Sequence, residues 1–103
     1  MHYPAAIALR GIPPSRALEG YIGEQARKLD GICDRIVSCQ AVAEALPREQ
    51  RQGAQFAVRL IITLPGTEVV VNREHGDDIY IAVRDAFAAA GLQLKDHMHR
   101  RSI

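Results

Sequence analysis

At 103 residues the chain has the length of one domain, enough to bury about 60–70% of its unfolded surface without metal or disulfide staples. A hydrophobic content of 48% and a charged content of 24% are those of a globular protein and exclude a chain disordered beyond its ends, a fibrous repeat or a membrane bundle. The net charge of +1, from 13 Lys+Arg against 12 Asp+Glu, excludes a uniformly basic surface, so any contact with nucleic acid has to come from a local cluster of cations.

In chain order, Ala5 to Arg10 is a short apolar run closed by Gly11 and Pro13-Pro14, which reads as a first strand. Ser15 is an N-cap for a helix from Arg16 to Asp30, with Leu18, Ile22, Ala26 and Leu29 at three-to-four-residue spacing and Gly31 as its stop. From Arg35 to Leu46 the chain alternates, with Cys39, Ala41, Ala43 and Ala45 on one face. Alanine is a poor strand former, so this strand competes with a helical reading. Pro47 to Gly53 is a polar connection, Phe56 to Leu64 a third strand, Pro65-Gly66 a turn and Glu68 to Asn72 a fourth strand.

Gly76-Asp77-Asp78 opens a second helix, with acidic residues where the positive end of the helix dipole favours them. Its stripe of Tyr80, Val83, Phe87, Ala90 and Leu94 has the spacing of a face packed on a sheet. Gly91 costs about 1 kcal/mol inside a helix and marks a place where this one kinks or ends. The expected fold is α+β, a βαβββα two-layer sandwich with a four-stranded sheet and both helices on one face. The crossover through the first helix makes the first two strands parallel.

No catalytic constellation stands out. Asp77-Asp78 is explained by capping, His97-x-His99 points to two sides of a helix, and there is no Gly-rich phosphate loop. Cys33 and Cys39, six apart, fit neither a metal half-site nor a redox pair and read as small buried hydrophobes. We therefore expect no enzyme, metal or cofactor. Tyr21 and Tyr80 lie on apolar stripes and read as core, not as base-stacking platforms. The longest apolar run, Leu60 to Leu64, is too short to span a bilayer, and residues 1–9 lack the features of a secretory signal, so a cytoplasmic protein is expected.

The segments Ser15-x-Ala17-Leu18, Lys28-Leu29-Asp30, Asp34-Arg35-Ile36, Leu64-Pro65-Gly66, Asp78-Ile79-Tyr80-x-Ala82-Val83 and Gln93-Leu94, in this order and spacing, resemble the ribosome hibernation promoting factor and ribosome-associated inhibitor family. The resemblance spans nearly the whole chain and implies a fold similar to double-stranded-RNA-binding domains. It also implies a partner, the small ribosomal subunit and its 16S rRNA, bound between the subunits so that translation is inhibited or idle ribosomes are stabilised under stress. A chain ending at Ile103 corresponds to the short form, residues 1–103 as a single domain with 95–103 a basic C-terminal tail.

Family members carry Lys and Arg on both helices. The cations at matching places here are Arg27, Lys28, Lys95, His97, His99, Arg100 and Arg101, the RNA-binding residues that the resemblance implies. Glu19, Gln25, Ala89 and Leu92 stand where the family is commonly basic, and each lost phosphate contact weakens binding and its salt sensitivity. Two other readings remain: a homodimeric binding module, paired through an open sheet face that shows Val42 and Ile61, which has lost ribosome binding, and a small-molecule or regulatory role on the same fold.

Overall fold

Alternation and turn chemistry build the sheet. In the computed structural model, which describes residues 5–50 and 53–101, the strands are β1 (Ala5–Arg10), β2 (Ser38–Ala45), β3 (Phe56–Leu64) and β4 (Thr67–His75). They lie side by side in the order β1-β2-β3-β4. β1 and β2 are parallel, joined through helix α1 (Arg16–Lys28), whereas β2-β3 and β3-β4 are antiparallel. Pro65 and Gly66 make the tight β3-β4 turn; Gly66 has φ 77°, a conformation glycine adopts without strain. Helix α2 (Ile79–Arg101) returns over β3 and β4, and α1 lies beside it next to β1, which gives the βαβββα sandwich with one helical layer.

One residue in two along each strand enters the core. Cys39, Ala41 and Ala43 of β2, Val58, Leu60, Ile62 and Leu64 of β3, and Val69 and Val71 of β4 are buried beneath the helices. The alanine-rich β2 is a strand because it sits between two paired neighbours, and hydrogen bonding on both edges outweighs its poor propensity. From the helical side come Leu18, Ile22 and Ala26 of α1 and Val83, Phe87 and Leu94 of α2, together with Ala82, Ala86 and Ala90, spaced four apart as a ridge of minimal side chains. Small residues on the helix against large ones on the sheet let α2 approach closely.

Both helices start on a side-chain cap. Ser15 Oγ accepts from the Leu18 N–H at 3.1 Å, and Asp78 Oδ1 accepts from the Tyr80 N–H at 2.9 Å. Asp77 lies outside that cap, its carboxylate 3.8 Å from His75 Nδ1. The first helix is shorter than its periodicity predicts: it ends at Lys28, and residues Leu29–Gly31 form a 3-10 turn that keeps Leu29 in the core. β4 is longer than predicted, because Arg73, Glu74 and His75 keep backbone pairing with Val58, Ala57 and Phe56 after the apolar alternation has stopped.

Gly91 does not end α2, which continues through Arg101. A Cβ at position 91 would come 3.2 Å from Ile32 Cδ1, so the glycine admits the chain that follows α1. Gly20 has no such neighbour within 4 Å. We expect Gly20→Ala to raise the unfolding free energy by about 0.5–1 kcal/mol through helix propensity, and Gly91→Ala to gain less because Ile32 must shift. Thermal melts of the two variants check this contrast; equal gains would show that the approach at Gly91 is not tight.

Candidate nucleic-acid interface

The helices α1 and α2 run in the same direction. Tyr21 meets Tyr80, their ring centroids 5.3 Å apart and tilted by 59°. About two turns further on, Lys28 and Leu29 face Arg84, Phe87 and Ala88 across a groove. Beyond that, Ile32 packs over Gly91, and the Cys33 thiol donates to the Met98 sulfur at 3.6 Å. The contacts advance together along both helices, so α2 outruns α1 by its last turns.

The groove between them has a volume of about 170 Å³, an apolar floor of Leu29, Ile32 and Phe87, and a rim of Gln25, Lys28 and Arg84. Arg84 and Lys95 are eleven residues apart, about three turns, so both project from nearly the same flank of α2. His99, four residues beyond Lys95 and exposed, continues that row. Nothing in the immediate sequence around Arg84 singles it out; its turn-by-turn relation to Lys95 does. Lys28, Arg84 and Lys95 thus form one line of cations on the outer surface of the helical layer, with His99 beyond its end.

The remaining candidates are placed differently. Arg27 and Lys28 are adjacent, so they diverge by about 100° around α1, and Arg27 points away from the groove. Both sit in the last turn of α1, where the negative end of the helix dipole favours cations. Arg100 donates to the Asp96 carboxylate at 2.8 Å, an exposed i,i+4 pair on another flank of α2. His97 is half-buried, about 200° around the helix from His99. Residues 95–101 are helical, the last turns of α2, and the side chain of Arg101 lies outside the described residues.

Of the positions expected to lack a basic residue, Gln25 lines the groove and Leu92 is 68% exposed beside the cationic row. Glu19 is exposed in the first turn of α1, and Ala89 packs partly against the core. Tyr80 is 39% exposed, which corrects its reading as a core residue: it covers Tyr21 at the surface, and only Tyr21 reaches the core.

Neither cysteine is disulfide-bonded, and both are buried. Burial pushes the Cys39 thiol up from 9.0 to about 11. The unfolded thiol loses its proton from about pH 9, the folded one only near pH 11, so this group's contribution to stability falls as pH rises between those values. We expect Cys39 to resist a thiol reagent at pH 8 in the folded protein and to react at once in denaturant. Rapid labelling of the native protein at Cys39 would contradict its burial.

Among the described residues, no three His, Cys, Asp or Glu side chains are grouped to hold a metal ion, and no helix is long and apolar enough to cross a membrane. The arrangement offers binding: a row of cations for phosphates beside a shallow apolar groove.

Residues 6–102 match the family described as Sigma 54 modulation protein / S30EA ribosomal protein. No curated protein matches the sequence. Among solved structures, the chain is similar to a ribosomal subunit interface protein from Coxiella burnetii, with a TM-score of 0.79, 18% identity and coverage of 93% of this chain and 98% of that one. It is also similar to the N-terminal domain of Protein Y from Thermus thermophilus, with a TM-score of 0.72, 21% identity and coverage of 94% and 97%. At these identities the likeness is one of fold: an open four-stranded sheet with two helices on one side.

Proposed function

The chain belongs to the Sigma 54 modulation protein / S30EA ribosomal protein family, and on that basis we propose that it is a ribosome-associated protein of the cytoplasm that binds the small subunit at the subunit interface and inhibits translation. The bound surface is the helical layer, and the partner is 16S rRNA. The observation that carries this reading is the row Lys28, Arg84 and Lys95, continued by the His99 imidazole, which places three cations on one outer surface of a chain whose net charge is only +1. Its chemistry is phosphate binding, not catalysis.

The spacing of these cations supports the reading. Arg84 and Lys95 stand about 16 Å apart along α2, and Lys28 enters the row from α1, so neighbouring cations meet different phosphates of one RNA segment. Burial of Leu29, Phe87 and Leu94 beneath the row fixes the helices to the sheet, so little ordering is required on binding. Mixed charge on the rest of the surface disfavours indiscriminate attachment to RNA.

Adding the purified protein to a cell-free translation reaction tests the proposal. Inhibition that saturates near one protein per ribosome, and weakens with added salt, is expected. Full translation at a large molar excess would refute an inhibitory role.

A further inference from the structure

The sheet surface opposite the helices is uncovered, and its side chains fall into rows across the strands. Strand register places Arg10, Glu44, Ala57 and Glu74 in one row. The next contains Val42, Arg59 and Asn72, and the one beyond contains Gln40, Ile61 and Val70. The first two rows surround a concavity of about 440 Å³. Arg10 and Arg59 stand against Glu44 and Glu74 within these two rows, and Arg73 adds a third arginine to the lining, so both signs of charge are interspersed on this face. Val70 is exposed and Ile61 half-buried, which leaves an apolar stripe beside the charges.

We propose that this face is a self-association surface, its occupant a second copy of the chain packed sheet against sheet about a two-fold axis. Charge placement selects the axis. If it runs along the strands between β2 and β3, each row meets itself with its columns exchanged. Arg10 of each copy then faces Glu74 of the other, Glu44 enters the space above Ala57, and Val42 lies along the stem of Arg59. Long side chains meet short ones, and opposite charges meet at both ends of the row. An axis across the strands would instead set the charged row on the apolar stripe and strand both.

Sheets packed face to face turn by about 30° relative to each other, a displacement at the outer strands that Arg10 and Glu74 span by their length. Four strands of these lengths present about 550 Å², below the roughly 800 Å² per partner of a standard stable interface. The dimer is therefore dissociable, and it holds the two helical layers outward. Self-association and RNA binding use opposite faces, so either proposal survives the failure of the other.

Sedimentation equilibrium of the full chain between about 1 µM and 1 mM tests the dimer. The wild type is expected to pass from monomer to dimer in this range. Ala57→Tyr, which fills the concavity with a good strand former, is expected to remain monomeric with an unchanged circular dichroism spectrum. Arg10→Glu and Glu74→Arg singly should each weaken association at least tenfold, and the double exchange should restore it. A wild type that stays monomeric at 1 mM, or a dimer indifferent to Ala57→Tyr, overturns the proposal. Loss of small-subunit binding by Ala57→Tyr from a monomeric wild type would show the face to be a ribosomal seat and overturn it as well. Failure of the double exchange to restore a dimer that both single changes weaken overturns the two-fold arrangement.

Discussion

Leu60→Ala is expected to lower the unfolding free energy by about 2–5 kcal/mol, a large part of the 5–15 kcal/mol that a domain of this size commands. Leu60 is fully buried at the centre of β3, paired laterally with Ala41 and Val71. Above the sheet, α2 presents Ala82, Ala86 and Ala90, each with no exposed surface. Alanine on the neighbouring strand and alanine on the covering helix have no atoms with which to fill the space a leucine leaves. The cavity therefore persists and the cost lies towards the upper part of the range. A fall in melting temperature of about 10–25 °C, with an unchanged denaturant slope, is the expected result. A loss below 1 kcal/mol would mean that α2 settles onto the sheet, and that the close approach inferred from its alanine ridge is wrong.

Replacing Lys28, Arg84 and Lys95 together by Ala is expected to reduce affinity for the small subunit by at least tenfold and to flatten its salt dependence by about 2–3 in the slope of log K against log salt. The three side chains are exposed and outside the core, so the melting temperature should change little. Arg27 and Arg100 provide the control. Arg27 points away from the groove, and Arg100 lies on another flank of α2, so the double change to Ala removes the same kind of charge from other flanks. Titration of both variants against purified small subunits at several salt concentrations separates a defined row from a diffuse cationic helix end. Equal losses in the two variants would contradict the row.

Much of the fold is legible in the sequence because local and long-range signals agree. Ser15 starts α1 and Asp78 caps α2, as their side-chain chemistry requires. β1 and β3 have the predicted limits, since Gly11 and Pro65 interrupt the chain where alternation ends. Disagreements arise where a tertiary partner decides. The polar end of β4 is held by hydrogen bonds to β3, which hydrophobicity does not encode. Gly91 carries the local signature of a break, yet its reason is Ile32, 59 residues earlier in the chain and 3.2 Å from where a Cβ would lie.

The binding surface is less legible. Basic residues near the helix ends include Lys28, Lys95 and His99 but also Arg27, His97 and Arg100, which point elsewhere. Arg84 gives no comparable signal because it sits in mid-helix beside Asp85, whose carboxylate is 3.4 Å from its guanidinium. Only the parallel course of α1 and α2 brings Arg84 opposite Lys28. Net charge conceals such a row, because it averages 13 Lys+Arg against 12 Asp+Glu over the whole chain.

Whether the helical layer seats on the small subunit is decided by co-sedimentation of the wild-type protein with purified small subunits through a sucrose gradient, at low and at moderate salt. Stoichiometric co-migration at low salt and partial release at moderate salt are expected, as a contact made by a few phosphate-binding cations requires. Protein that remains at the top of the gradient at both salt concentrations would contradict ribosome binding by this surface.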